Sequence, residues 1–586
     1  LQPLNDGLGD ERVAYLRGDK SLEVARSGGV FRNRRTLLGD IISSSPQFVG
    51  APRGTYRDTV EAVRYSQFKA DNAERTPVIY AGANDGMLHG FRATDGQELL
   101  AFVPRSVSNN LHQLTSPSYA HKFYVDGTPT ITDAFVDGQW RSILVGGLNQ
   151  GGQGIYALDV TDPSTFSESN ADDVFLWEFD DRATGGRGDR DLGLTFSRPV
   201  IVKLNSGRWA AIFGNGYNNT AADGSVSTTG NAVLYIVDLG TGELIRKIDT
   251  GVGFAQDPSG LGRTNGLASP AVVDTNGDAK ADLVYAGDLF GNLWKFDLRF
   301  GIESNWGIPY TESGVPAPLF RARNALGNPQ PITSRPNVSF GPRGQGLLVL
   351  FGTGKYLEPT DKEIANLRTQ TFYGLHDRNS MSASDRILTR AGLVEQQILR
   401  EANDQDFTAG TVSSDYSVRV TSSNTVDYTV QRGWYMDLRV VGQPFQGEMQ
   451  VSESVLRAGR GIVTTLIPSP DPREFGGTGW LMSRDAETGG RAANPQFDLN
   501  FDGQYDDSDR NLGDVVSGLK SEVGIVQRPG VLADNQNGDF KLYVSGTSGE
   551  NPGGVGNEKM VTGESRPEEL QGRAFATGRQ SWRQVR

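Results

Sequence analysis

The sequence predicts an all-β protein built as a β-propeller, and three observations indicate this fold. Glycine is abundant, with 74 among 586 residues, and 27 prolines accompany it without a collagen period. Short apolar runs alternate with glycine turns, which is typical of many short strands joined tightly. One such unit recurs about seven times, and radial packing of repeated sheets leaves only short exposed edges.

The first copy of the unit, Val78–Val103, shows how it is built. An apolar strand ends at Asn84-Asp85-Gly86, a tight turn that accepts positive φ. Met87–Phe91 then returns as a second strand, and after a Thr-Asp-Gly turn Glu98–Phe102 makes a third. The alternative for such hairpins is an antiparallel β-sandwich. The further copies are Ser142–Val160 with Phe175–Phe179, Ala210–Gly214 with Ala232–Ile248, Ala271–Leu298, Gly346–Gly354 with Thr371–His376, Gly461–Ile467 with Gly479–Ser483, and Val523–Val531 with Lys541–Gly546.

The chain is divided into an N-terminal mixed segment (residues 1–70), the propeller (71–550) and a polar C-terminal tail (551–586). Inserted loops and helices interrupt the repeat, chiefly at Ser380–Asp427, where Ala391–Asn403 is expected to be helical. Leu1 is not a start methionine and no signal peptide is visible, so we expect the mature C-terminal part of a longer, exported protein.

Composition excludes several classes of function. The net charge of −13 disfavours a nucleic-acid partner, because phosphate contacts need clustered lysine and arginine. The absence of cysteine excludes disulfides, zinc–thiolate sites and cysteine nucleophiles. The sequence contains no apolar run of 18 residues, so it predicts no membrane-spanning helix. None of the four histidines lies at a metal-ligand spacing from another. They are His89, His112, His121 and His376.

The strongest motif is a turn of nine residues with oxygen-bearing groups at alternate positions. Its predicted ligands are the side chains of Asp274, Asn276, Asp278 and Asp282 and the backbone carbonyl of Lys280. Ca²⁺ prefers six to eight hard oxygen ligands, and alternate residues of a tight loop can face one ion. Three close carboxylates would repel one another without a cation. The sequence therefore predicts a calcium site, and the alternative is a solvated Asp/Asn turn.

Two further motifs carry weaker predictions. A second acidic loop approaches the EF-hand pattern, with an aspartate in place of the usual final glutamate. Two Arg-Gly-Asp triplets, Arg17–Asp19 and Arg187–Asp189, could present a guanidinium and a carboxylate to a receptor, or arise by chance. The receptor candidate is Arg187, Gly188 and Asp189, in a glycine-rich stretch. The candidate ligands of the second loop are Asp498, Asn500, Asp502, Gln504, Asp506 and Asp509.

Three stretches together resemble the C-terminal domain of the type IV pilus PilY1 family: Gly82–Phe91, Thr94–Pro104 and Asp274–Leu298. The resemblance runs from about residue 30 to the end. It implies a modified seven-bladed β-propeller and places the calcium ligands position by position on Asp274–Asp282. It also implies a Ca²⁺-dependent, non-enzymatic protein of the bacterial surface.

By this resemblance the chain acts in fimbrium biogenesis, cell adhesion and twitching motility, and its calcium loop regulates pilus extension versus retraction. The implied partners are type IV pilus subunits, including minor pilins. A host-cell receptor is a further candidate partner, on the ground of the Arg-Gly-Asp triplet. One alternative is a quinoprotein-like dehydrogenase, whose propeller turns look similar and whose cofactor also uses calcium. The other alternative is a passive adhesin in which calcium only stiffens a loop.

Overall fold

The structure is a computed structural model. It describes residues 6–182, 185–220, 225–402, 417–469, 471, 476–497, 499, 505–521, 524–526, 528–533, 540–545 and 558–563. The described chain forms two compact units, one comprising residues up to 284 together with 297–307, the other residues 285–296 and those from 308 onward. None of the helices within the described residues is long and apolar enough to cross a membrane.

The first unit consists mainly of antiparallel sheets. Its helices are α1 (Gly9–Leu16), α2 (Tyr65–Asp71) and α3 (Ala171–Val174). Thirteen of its strands form three sheets in the orders β1-β2-β3-β4, β5-β6-β7-β8 and β12-β11-β10-β9-β14, and β13 lies outside these sheets. They are β1 (Gln47–Val49), β2 (Val78–Ala83), β3 (Met87–Arg92), β4 (Glu98–Phe102), β5 (Thr130–Val136), β6 (Gln139–Gly147), β7 (Gly154–Asp159), β8 (Phe175–Asp180), β9 (Val200–Leu204), β10 (Trp209–Gly214), β11 (Val233–Asp238), β12 (Leu244–Asp249), β13 (Ala271–Val273) and β14 (Lys280–Ala281).

The first sheet confirms the strand–turn–strand pattern of the sequence. Ala83 pairs with Met87 across the predicted turn, and Gly86 takes a φ of +96°, a conformation that glycine adopts without steric cost. The fourth strand of this sheet comes from the N-terminal mixed segment, where Phe48 pairs with Ile79. That segment therefore contributes to a sheet as well as to helices.

Aromatic side chains fill the core of the first unit. Tyr56 contacts Trp140 at 4.9 Å and Trp209 at 5.6 Å between ring centroids. Tyr65, on α2, lies 5.1 Å from Tyr56 and 4.8 Å from Trp140. All four residues are buried, so the N-terminal segment is fastened to the sheets through this aromatic cluster.

The second unit is also mostly strand. Its largest sheet has ten strands in the order β20-β21-β22-β25-β23-β24-β33-β30-β27-β26. The first unit ends and the second begins within β15. The strands are β15 (Leu283–Gly287), β16 (Asn292–Asp297), β17 (Thr311–Glu312), β18 (Val315–Pro316), β19 (Phe320–Arg321), β20 (Asn337–Phe340), β21 (Leu347–Gly352), β22 (Thr371–Asp377), β23 (Val394–Ala402), β24 (Val418–Thr421), β25 (Gly433–Val440), β26 (Val455–Arg457), β27 (Arg460–Thr464), β28 (Ile467–Pro468), β29 (Gly477–Thr478), β30 (Trp480–Asp485), β31 (Arg510–Asn511), β32 (Asp514–Val515), β33 (Gly518–Lys520), β34 (Gly530–Ala533), β35 (Phe540–Ser545) and β36 (Glu558–Gly563).

The predicted helix at Ala391–Asn403 is wrong. Residues Val394–Ala402 form β23, which pairs parallel with β25 and antiparallel with β24, while Asn403 lies outside the described residues. Gln396 and Ile398 are buried and Leu399 is exposed, which is the alternation of a strand. Two neighbouring strands supply its backbone hydrogen bonds, and this tertiary pairing overrides local helix propensity.

Candidate metal centre

The predicted calcium loop is a closed turn within the first unit. β13 leads into it, and the N–H of Asp282 donates to the carbonyl of Val273 at 2.9 Å, so the two ends meet. Two residues of the turn have positive φ, Gly277 at +84° and Ala279 at +71°. Alanine is uncommon in this conformation, so the surrounding contacts hold the turn in a fixed shape.

Asp274 opens the turn and is 4% exposed. Its Oδ1 accepts hydrogen bonds from the N–H groups of Asn276, at 3.2 Å, and Gly277, at 2.6 Å. Its Oδ2 accepts from the N–H of Ala279 at 2.8 Å. The backbone is thus wrapped around this carboxylate.

Asp282 closes the other end and is 2% exposed. Its Oδ2 accepts from the N–H of Thr275 at 2.9 Å and from the Thr275 hydroxyl at 2.5 Å. Its Oδ1 accepts from the side-chain amide of Asn205 at 3.2 Å. The same amide donates to the carbonyls of Ala281 and Leu298, so Asn205 positions Asp282. The motif did not point to Asn205, because it is distant in the sequence.

The other predicted ligands form the exposed rim of the turn. The side-chain oxygen of Asn276 accepts from the N–H of Asp278 at 2.8 Å. Asp278 Oδ1 accepts from the N–H of Lys280 at 3.0 Å. Asp278 Oδ2 lies 3.1 Å from the Lys280 ammonium, with the two side chains 37% and 33% exposed. The ammonium is thus the cation that faces Asp278 in this structure.

The donor chemistry of the turn fits Ca²⁺. All five predicted ligands offer hard oxygens, three of them from carboxylates. Each carboxylate oxygen has more than one lone pair, so accepting an N–H does not exhaust its capacity. The side chains do not converge, however: within the described ranges, no three acidic or histidine side chains are placed to hold an ion. Metal binding therefore requires the exposed rim to rearrange.

The second acidic loop is described only in part. Asp498, Asn500, Asp502 and Gln504 lie outside the described residues. Asp509 is 1% exposed, and its carboxylate accepts from the N–H groups of Leu499, at 2.6 Å, and Asp506, at 3.1 Å. Asp506 accepts from the N–H of Ser508 at 2.8 Å. These two carboxylates stabilise the local turn, and metal binding here stays a prediction.

The two Arg-Gly-Asp triplets differ in how their charges are used. Asp189 accepts from the Lys247 ammonium at 2.8 Å and from the Tyr235 hydroxyl at 2.8 Å, whereas Arg187 is exposed. In the first triplet, Arg17 pairs with Glu168. A receptor that binds the Asp189 carboxylate would have to compete with the ion pair between Asp189 and Lys247.

His89 is buried between two carboxylates of the first sheet. Its Nδ1 lies 2.6 Å from Glu98 and its Nε2 3.2 Å from Asp85. Burial opposes charging, but the two carboxylates outweigh it and raise the pKa of His89 above its ordinary value. The imidazole stacks on Phe91 at 5.5 Å, so this group lies within a packed sheet face.

Comparisons with known proteins agree on one family. The family described as the PilY1 beta-propeller domain matches residues 38–411. A type IV pilus biogenesis factor PilY1 homolog of Xylella fastidiosa is 42% identical over 498 residues, 82% of this chain and 31% of that protein. The type IV pilus biogenesis factor PilY1 of Pseudomonas aeruginosa strain PAK is 37% identical over 599 residues, 96% of this chain and 48% of that protein.

A solved structure matches as well. The crystal structure of the Pseudomonas aeruginosa PilY1 C-terminal domain is 31% identical, with a TM-score of 0.69 over 88% of this chain and 99% of that one. Together with the matched family, it confirms the predicted β-propeller. The chain spans about a third to a half of the length of the two curated relatives, at 31% and 48%.

Proposed function

We propose, since the chain belongs to the PilY1 β-propeller family, that it is a calcium-binding, non-enzymatic factor of type IV pilus biogenesis. In this proposal the protein is exported and associated with pili at the bacterial surface. Pilus subunits, minor pilins among them, are its partners. Calcium at the Asp274–Asp282 turn shifts the balance between pilus extension and retraction, and so affects twitching motility and surface attachment.

One observation carries the calcium part of the proposal. Asp274 and Asp282 are buried at the two ends of a turn whose middle is exposed. The hydrogen bonds of these two carboxylates fix the ends of the turn. Asp278 instead accepts from the N–H of its near neighbour Lys280. A cation that recruits Asp278 would add charge neutralisation to a turn whose two ends are already fixed, so only the rearrangement of the exposed rim opposes binding.

The regulatory part of the proposal follows from thermodynamic linkage between calcium binding and the conformation of the turn. A ligand that binds one state of the turn stabilises that state by RT ln(1 + [L]/Kd), which is about 2.7 kcal/mol at a hundredfold excess. A partner that contacts the rim and distinguishes its two arrangements then responds to calcium by at most this free energy. Calcium-dependent contact with a pilus subunit needs no rearrangement beyond this turn.

The experiment that tests calcium binding is a calorimetric titration of Asp278→Asn. Asp278 is the best position because its exposed carboxylate can be replaced without breaking a bond that holds the fold. Asp282→Ala also abolishes binding in this proposal, but it removes the bonds to Thr275 and Asn205 as well. The matched control is Asp172→Asn, an exposed aspartate elsewhere in the first unit.

Both variants are made in a background with Asp498→Ala and Asp502→Ala, so that the second loop does not contribute heat. We expect the calcium affinity to fall at least tenfold in Asp278→Asn and to be unchanged in Asp172→Asn. Equal calcium uptake by the two variants would refute the assignment. Restoring the full-length protein with Asp278→Asn in a strain that lacks it tests the regulatory part, and wild-type twitching at every calcium concentration would contradict it.

A further inference from the structure

Exposed apolar side chains are concentrated in one short stretch of the first unit, residues 24–48. Each is between 39% and 55% exposed. Large apolar residues at such exposure are ordinary when scattered, but a contiguous group marks an interaction site. The members of this group are Val24, Val30, Leu37, Leu38, Ile41, Ile42 and Phe48.

This stretch and the nine residues after it are strongly basic in an acidic protein. Residues 24–57 contain six arginines and one acidic residue, Asp40, while the whole chain has a net charge of −13. Arg34 is paired with Glu23 at 2.9 Å, and Arg26, Arg35, Arg53 and Arg57 are exposed. Such a surface attracts a partner of negative charge.

The backbone of this stretch is held in place between its apolar residues. The N–H of Gly39 donates to Asp85 Oδ2 at 2.7 Å, that of Ser43 to Asp126 Oδ1 at 3.0 Å, and that of Ser45 to Thr128 Oγ1 at 2.9 Å. These bonds anchor the stretch to the first sheet and the segment before β5. The exposed apolar side chains are therefore presented by an ordered segment.

Four backbone donors of the stretch are left for a partner. Within the part of the chain that the structure describes, no acceptor lies in hydrogen-bond geometry with the N–H groups of Leu37, Leu38, Ile41 and Ile42. In the hydrocarbon of a lipid layer each such group would cost several kcal/mol. An extended peptide can accept these hydrogen bonds, so the backbone favours a protein partner over a lipid surface.

A cavity adjoins the N-terminal end of the stretch. Its volume is about 590 Å³, and Val30, Phe31, Tyr119, Arg12 and Lys122 are among its lining residues. Arg12 is 4% exposed, and its guanidinium is paired with Asp6, which also lines the cavity. The cavity thus combines an apolar wall with the positive charge of the exposed Lys122, which suits an apolar side chain next to a carboxylate.

We propose that residues 24–57 form a docking surface for an extended, acidic protein segment that carries apolar side chains. Its carboxylates pair with the exposed arginines, its apolar side chains cover Leu37–Ile42, and its backbone accepts the four N–H groups. The cavity beside Phe31 receives one apolar side chain at the end of the segment. This inference is independent of the calcium turn.

The test measures peptide binding to the whole 586-residue chain by fluorescence anisotropy. The probe is a labelled peptide Asp-Leu-Glu-Phe-Asp-Leu-Glu. One control peptide has lysine at each acidic position, and another has serine at each apolar position. The variants are Arg35→Glu with Arg53→Glu, and Leu38→Ser with Ile42→Ser. Arg378→Glu with Leu326→Ser, exposed residues outside the surface, is the matched control.

We expect the acidic apolar peptide to bind at least tenfold tighter than either control peptide. Each docking-surface variant should lose at least tenfold in affinity, and the matched control should bind like the wild type. Equal binding of the three peptides, or undiminished binding by the variants, overturns the proposal. So does binding of phosphatidylglycerol vesicles without peptide binding, or self-association in sedimentation that the variants abolish, since these outcomes assign the surface to lipid or to a second copy.

Discussion

Lys280→Met is expected to raise the affinity of the Asp274–Asp282 turn for calcium. The predicted ligand at this position is the backbone carbonyl, which the substitution keeps. The side chain opposes binding, because its ammonium lies 3.1 Å from Oδ2 of Asp278 and neutralises a carboxylate that the ion needs. Removing the ammonium therefore removes a competitor without removing a ligand.

The size of the gain follows from the exposure of this ion pair. Its side chains are 33% and 37% exposed, so solvent screens the attraction, and such surface pairs are worth about 0.2–1 kcal/mol. Since 1.36 kcal/mol corresponds to a factor of ten, releasing Asp278 tightens calcium binding by about 1.4-fold to about fivefold. Repulsion between the ammonium and a divalent cation acts in the same direction.

Calorimetric titration at low ionic strength measures this gain, with Lys280→Arg as the control that keeps the positive charge. The advantage of Lys280→Met over Lys280→Arg should shrink as salt is added, because both contributions are screened. Equal or weaker calcium binding by Lys280→Met would refute the reasoning. An equal gain in Lys280→Arg would also refute it, since charge would then not be the cause.

Three further predictions concern stability. The raised pKa of His89 contributes stability that is present below the ordinary histidine pKa and lost as the pH rises through the folded-state value, so His89→Gln should flatten the fall in unfolding free energy as the pH rises above the ordinary histidine pKa, measured by urea denaturation. Glu448→Ala should cost about 3 kcal/mol in the same assay, because it removes the buried carboxylate that binds the fully buried Arg419 at 2.8 Å and 2.9 Å and leaves it the partly exposed Glu401; a loss below about 1 kcal/mol would contradict this. Asp189→Asn should lower stability by about 1–3 kcal/mol and Arg187→Ala should not, and cell adhesion that needs both residues without any stability difference would favour the receptor role instead.

The strands of the first sheet could be predicted because their signals are local. The turn at Asn84-Asp85-Gly86 and the alternation around it lie within one hairpin, and the structure pairs those residues in register. β1 had no such signal, because it has only three residues and becomes a strand through its partner β2. The prediction of a helix at Ala391–Asn403 was wrong for the same reason. Pairing with β24 and β25, which come later in the chain, determines the conformation of this segment.

The candidate site likewise has residues that the sequence could predict and residues that it could not. Alternate oxygens over nine residues are a local pattern, so the sequence could name Asp274 and Asp282. It could not name Asn205, whose amide reaches Asp282 across 77 residues of chain. Nor could it show that Asp189 of an Arg-Gly-Asp triplet is already paired with Lys247. Charged side chains that a sequence motif suggests for binding a partner are often already paired with other side chains of the same protein.

The two ends of the Asp274–Asp282 turn limit how far the proposed response to calcium can spread. Lys280 and Ala281 form β14, which pairs with Lys203 and Leu204 of β9, so the end of the turn is an edge strand of a five-stranded sheet. The start follows directly from β13. Both ends are thus fixed by strand pairing or by buried carboxylates, and only the rim between them can change. A pilus partner that senses calcium here must therefore contact residues 275–279, and substitutions in this rim can alter signalling while those at the ends alter folding.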